Sequence, residues 1–423
     1  MTIKDSHGHA VSGANARSLD AFELACHELR CFAGDPLASV TRALAESPEM
    51  TMGHVLMAYL CLFGTEPAGL PAARAALAAA QALPADEREA MHIAAIEHLV
   101  EGRWHAAGLL LEDLSVRYPR DALALQGGHQ VDFFTGDSRM LRDRITRVAT
   151  HWHEGLPGYH ALLGMQAFGF EENGDYARAE ALGRRAVELE PRDSWAWHAV
   201  THVMEMQNRR QDGVRWLRSD TAAWSENNFL AVHNWWHLGL FHLGLDQIDE
   251  VMALVDQRIL PTPAPVVLEM IDASAMLWRL HLRGIDVGDR WQALAARWAP
   301  LAEAGNYAFN DLHAMMAFVG AGDEASAARL LDAQQQALQA QGDNVHFLRD
   351  VGFDATRAVH AFGQGRYAEA ARLLRPVRSR AHRFGGSHAQ RDVLDLTLIE
   401  AARRAGDRPL AEALISERAA LRA

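Results

Sequence analysis

The stretch YHALLGMQAFGFEENGDYARAEALGRRAVELEP, residues 159–191, decides the fold. Within it Gly174, Tyr176, Ala179, Ala186 and Pro191 stand at the spacing G-x-Y-x-x-A-x6-A-x4-P. Gly174 permits a tight turn between two antiparallel helices, because it carries no Cβ to clash there. Ala179 and Ala186 are small enough for the two helices to approach closely. Pro191 cannot continue a helix and so opens the next unit.

The same beat returns on both sides. Gly102, Trp104, Ala107 and Pro119 repeat it between about 88 and 121, and Gly365, Tyr367 and Ala370 repeat it near the C-terminus. Weaker copies centre on Gly136, Asn208, Asp246, Gly322 and Gly406. The spacing is the second half of the tetratricopeptide pattern, a unit of about 34 residues. One hairpin cannot bury its apolar face alone, so stability requires stacked neighbours. The expected fold is all-α, a right-handed superhelical solenoid of about eight tetratricopeptide-type hairpins. Residues 1–15 read as a flexible N-terminus and 16–423 as one array, irregular at 20–80 and 262–300.

Composition narrows the chemistry. Hydrophobic residues make up 49% and charged residues 22% of the 423, the balance of a globular protein. The net charge of −13 repels phosphate backbones, so nucleic acid is not an expected partner. Lys4 is the single lysine; every other basic residue is arginine. A G-x-x-x-x-G-K-[ST] phosphate loop is therefore impossible, and Schiff-base or pyridoxal phosphate chemistry is ruled out. Cys26, Cys31 and Cys61 lack zinc-ribbon spacing and are odd in number, which argues against a disulfide framework. The most apolar run, Val55 to Phe63, is too short to cross a bilayer, and the N-terminus has no signal-like core. The sequence reads as cytoplasmic.

The middle of the chain resembles the tetratricopeptide repeat protein 38 family. GMQAFGFEENGDYARAE (164–180), WAWHAVTHVMEMQNRRQDGVRWL (195–217) and HNWWHLGLFHL (233–243) carry the resemblance. Support comes from GDSRMLRDRITRV (136–148), Asp311-Leu312-His313 and GGSHAQRD (385–392). The resemblance implies a helical solenoid and no settled activity.

The repeat register places side chains. In tetratricopeptide solenoids, positions 2, 5, 9 and 12 of each first helix line the concave surface. With Gly174, Asn208 and Asp246 at position 15, His198, His202 and Glu205 fall at 5, 9 and 12 of one unit. His233 and Trp236 fall at 2 and 5 of the next, and Phe168 and Glu171 at 9 and 12 of the preceding one. His237 lies one turn beyond His233. Composition alone predicts about one His pair at i, i+4, one helical turn apart; this sequence has two, His198/His202 and His233/His237.

Three readings of this cluster stay open. It is a ligand groove with polar His198, His202, Glu205, His233 and Glu171 and apolar walls Phe168 and Trp236. It is a catalytic site, in which His198, His202, Glu205, His233 and His237 perform acid–base chemistry or hold a divalent metal for hydrolytic or lyase chemistry on a small metabolite. Or the histidines are packing and the protein is a protein–protein scaffold. The mixture of His and Glu, unlike the uniform charge of a scaffold groove, fits chemistry or small-molecule capture better than peptide-tail binding; the preferred reading is a small-molecule or peptide-sized ligand in the concave groove.

Other candidates have plainer readings. Ser387 with Gln390 is a capping box rather than a nucleophile, while His388, Arg391 and Asp392 point toward the groove region. Asp311 and His313 sit at flanking positions. His129 and Asp132 precede the main cluster, and Asp137-Ser138 is a helix start. His151 and His153 cover a helix end beside Trp152. Trp195, Trp197, Trp216, Trp224 and Trp235 read as hairpin packing, and Arg209-Arg210 as a solvated pair.

Overall fold

The computed structural model describes residues 3–260 and 266–422. Helix α1 (Ala16–Cys31) packs on α2 (Pro36–Glu46), α3 (Thr51–Phe63) on α4 (Gly69–Gln81), and α5 (Glu87–Val100) on α6 (Trp104–Arg117). Next come α7 (Ala122–Thr135) and α8 (Ser138–Val148), then the pair α9 (Tyr159–Glu171) and α10 (Tyr176–Leu189). They are followed by α11 (Ser194–Met206), α12 (Arg210–Ser219), the short α13 (Thr221–Ser225), α14 (Ala231–Gly244) and α15 (Ile248–Leu254). The chain continues through α16 (Val267–Leu282), α17 (Arg290–Trp298), α18 (Ala308–Ala321), α19 (Glu324–Ala337) and α20 (Asn344–Phe347). Two hairpins complete it, α21 (Phe353–Gly363) with α22 (Tyr367–Val377) and α23 (His388–Arg404) with α24 (Arg408–Ala420). No strand occurs among the described residues, only two isolated bridges.

Backbone angles show why the beat in the sequence marks the turns. Gly102, Gly136, Gly174, Asn208, Asp246, Gly322, Gly365 and Gly406 all have positive φ, between 58° and 82°. Each stands just past the end of a first helix, where the left-handed conformation lets the chain reverse. The amide of Asp175 reaches back to the Phe170 carbonyl at 2.9 Å, closing the turn, and its carboxylate caps the next helix at Arg178. Asp137, Asp323 and Asp407 do the same for α8, α19 and α24. A Gly-Asp pair thus ends one helix and starts the other. The segment 262–300, off the beat in sequence, carries an equivalent turn at Gly284, with φ of 73°; its residues 262–265 lie outside the described ones. The segment 20–80 likewise forms helical hairpins, α1 with α2 and α3 with α4.

Two compact units partition the described chain. The first holds residues up to Phe133 with Asp137–Val203 and Trp216–Asn234; the second holds Phe134–Gly136, Met204–Arg215 and the chain from Trp235 onward. In the first, Ala186 packs with Leu163 and Ala196, and Ala179 with Phe170 and Val203, the close approach their small side chains allow. Several polar groups buried there are paired. Arg88 and His92 bond to Asp121, Tyr59 meets the other nitrogen of His92 at 3.1 Å, and Arg144 grips Asp132 with two bonds of 2.7 and 2.8 Å. Burial alone would raise the Asp121 carboxyl, but His92 and Arg88 outweigh it and hold it well below the usual range. In the second unit α16 is almost wholly buried, and its Trp278 donates to Thr397 of α23 at 2.9 Å.

Candidate functional site

The first unit brings together the imidazoles expected from the register. His198 Nε2 and His233 Nε2 are 3.1 Å apart, and the His198 and His202 rings are 4.4 Å apart. Glu171 Oε2 lies 3.5 Å from His202 Nδ1. His198 and His202 share one face of α11, one turn apart, and His233 enters from the first turn of α14.

This cluster is core rather than an open wall. Phe168, Glu171 and His202 are 0% exposed and His198 only 1%, so no water-sized space adjoins them; His233 is half-buried. Phe168 stacks on His198 at 5.4 Å, and Trp195 lies 4.7 Å from the same ring. Phe32, at the end of α1, stacks on Trp195 at 5.3 Å, and residues 32–34 pair through their backbones with 227–229. Phe32 itself takes a φ of 55°, a conformation costly for a side chain of that size, to reach this place. His129 meets Phe168 and Trp195 edge-on, and burial pulls its imidazole down to about 3.

Glu205 and Trp236 belong to a different constellation, in the second unit. Glu205 accepts from Arg422 Nη1 at 2.8 Å rather than facing an imidazole. Trp236, expected as a ligand-facing ring, is 0% exposed and lies beneath Arg279, whose guanidinium is 5.2 Å from the ring centre. His237, next to Trp236, is also fully buried. The reason is side-chain filling: register fixes which face a residue occupies, and the neighbouring helices decide whether that face stays open.

The second unit holds an open cavity of about 570 Å³, within the size range of small-molecule sites. Its lining holds seven arginines, at positions 210, 279, 283, 403, 404, 418 and 422, against three carboxylates, Glu205, Asp392 and Glu400. Leu240, Leu243, Leu282, Leu396 and Ile399 supply the apolar part. Asp392 takes a two-pronged contact from Arg418, both distances 2.7 Å, and a third from Arg422 at 3.1 Å. Burial alone would raise the Asp392 carboxyl, but these guanidiniums outweigh it and lower it. Arg279 is 3% exposed and donates to the backbone carbonyls of Ala275 and Ala389. Burial pulls it down to about 10, well above neutral pH, so it stays charged.

The arginine lining escaped the sequence reading. Arg210, read as solvated, donates to the Gly244 carbonyl at 2.7 Å and lines the cavity, because the α12 start packs against the α14 end. Arg403 and Arg404 end α23, and Arg418 and Arg422 lie on and just past α24. No local motif joins residues so far apart; the one available signal was the exclusive use of arginine.

The remaining candidates are structural. Ser387 and Gln390 form a reciprocal capping box. Asp311 accepts from Gln334 at 3.0 Å, and burial pushes its carboxyl up to about 7. His313 bonds to the Phe309 carbonyl at 2.8 Å. His151, His153 and His388 are exposed. Trp197 packs on Trp216 at 4.2 Å, and Trp224 donates to the Leu217 carbonyl.

The molecule is therefore an all-α helical-repeat protein with a buried imidazole cluster in one unit and an arginine-lined cavity in the other. No family model matches the chain. Among solved structures it is similar to yeast Tom70, at 14% identity over 96% of this chain and 92% of that one, with a TM-score of 0.35. Among the described residues no helix is long and apolar enough to cross a membrane.

Proposed function

We propose that the protein is a binding module that takes up an anionic ligand, carboxylate- or phosphate-bearing and small-molecule or peptide-sized, in the arginine-lined cavity of its second unit. The observation that carries this is the imbalance of seven guanidiniums over three carboxylates in one hollow of a chain whose net charge is −13. Arginine presents a planar fork matched to carboxylate and phosphate oxygens and keeps its proton at any physiological pH. Asp392 and Glu205 already engage Arg418 and Arg422, and Glu400 engages Arg403 and Arg404; Arg279 and the half-exposed Arg283, which meets Asp246 at 3.5 Å, are the ones offered to the ligand. The leucines and Ile399 would contact its apolar portion. The resemblance to the tetratricopeptide repeat protein 38 family fits a helical-repeat binding role and assigns no activity of its own.

The test is a thermal-shift screen of di- and tricarboxylates, phosphate monoesters, acidic peptides and their neutral analogues. Side chains of Arg283 and Arg403 are 43% and 65% exposed, so alanine there leaves the fold intact. A hydrogen bond to a charged group is worth about 1.5–3 kcal/mol, so Arg283→Ala and Arg403→Ala should each weaken the best anion about tenfold or more. Neutral analogues that bind as well as the anions would contradict the reading.

A further inference from the structure

Three imidazoles converge in the first unit. His198, His202 and His233 each offer a ring nitrogen, and these lie within 4.8 Å of one another. The His198–His233 pair is the closest, at 3.1 Å between Nε2 atoms. A tetrahedral divalent ion with metal–nitrogen bonds of about 2.0–2.1 Å sets its ligand nitrogens roughly 3.3 Å apart. The pair already stands close to that edge length. A lone N–H···N hydrogen bond also fits 3.1 Å, but it engages two rings, whereas here His202 brings a third nitrogen within 4.8 Å of both.

The carboxylate beside them follows the same logic. Glu171 Oε2 lies 3.5 Å from His202 Nδ1, with both side chains excluded from solvent. A carboxylate against one nitrogen of a histidine fixes the ring and raises the basicity of the other nitrogen, the usual support of a metal-bound imidazole. The rings sit on helices α11 and α14 and are held by Phe168 and Trp195, so the donors are rigid and dry. His233, half-buried, is the least buried of the three.

We propose that His198, His202 and His233 form a trihistidine site for a first-row divalent transition metal such as zinc, with Glu171 as its positioning residue. Neutral imidazoles select zinc, copper, iron or nickel over magnesium and calcium. The site shares no residue with the arginine cavity, and neither proposal depends on the other.

Chelator-treated full-length protein is titrated with cobalt(II), which reports its coordination in the visible spectrum, and zinc is then added as competitor. The expected result is one equivalent of cobalt with the intense bands of a four- or five-coordinate site, displaced by zinc. His198→Gln and His233→Gln abolish the bands, and Glu171→Gln weakens affinity about 10–100-fold. His27→Gln, which alters the separate His27, Cys31 and His160 group, changes nothing. X-ray absorption of the cobalt-loaded wild type needs no variant and should show imidazole ligands without sulfur. Absence of the bands in wild type, their persistence in His198→Gln or His233→Gln, a sulfur ligand, or loss on His27→Gln would each overturn the assignment.

Discussion

Arg279 holds its guanidinium 5.2 Å from the centre of the Trp236 ring while donating to two backbone carbonyls, those of Ala275 and Ala389. None of these partners carries a formal negative charge. The π face and the carbonyls solvate the cation without neutralising it, so its charge remains available to the cavity it lines. Trp236 is thus a platform for a cation rather than a wall for a ligand. Trp236→Leu removes both the platform and core volume, and should cost about 2–4 kcal/mol. Urea unfolding of the purified variant measures this.

Asp392 ties Arg418 and Arg422 to α23. Removing one partner of a buried ion pair costs about 3–5 kcal/mol, and Asp392→Asn should lose an amount of that order at neutral pH. The folded carboxyl is lowered, so its stabilisation is fully present above the ordinary aspartate range and disappears as pH falls through the lowered value. The gap between wild type and Asp392→Asn should therefore narrow on acidification. A gap that widens instead would contradict the ion-pair account.

His129 is buried with no hydrogen-bond partner for either ring nitrogen among the described residues, and its imidazole is pulled down to about 3, chiefly by burial. Its neutral form is the folded one, so stability is full above about 6.5, the unfolded value, and falls as pH drops toward 3. His129→Met keeps the volume and removes the polar atoms. It should stabilise the protein by about 1 kcal/mol or more and flatten thermal stability between pH 6 and 4, checked by melting across that range.

The repeat turns make a backbone prediction. Asn208 adopts a φ of 58° and Gly174 one of 80°. Asn208→Gly should stabilise by a few tenths to about 1 kcal/mol, and Gly174→Ala should destabilise by about 1–2 kcal/mol. Paired urea titrations of the two variants check the opposite signs.

The sequence disclosed the repeat because a turn is a local event. Left-handed backbone favours Gly, Asn or Asp, and each such residue on the beat sits at positive φ. It disclosed the meeting of His198, His202, His233 and Glu171 because helical spacing and register fix the face a residue occupies. It did not disclose that the face is filled, since that depends on Phe32 reaching Trp195 from far along the chain. The arginine cavity was hidden for the same reason. Arg279, Arg403 and Arg422 share no spacing that one sequence can reveal, and Glu205 reads as a neighbour of His202 until Arg422 claims it.

Calorimetric titration of the tightest-binding anion into wild type and Arg279→Gln, at low and high salt, tests the central claim most directly. The account predicts a dissociation constant that rises with salt in wild type and is about tenfold or more weaker in the variant. Equal affinity in the two proteins with no response to salt would contradict it.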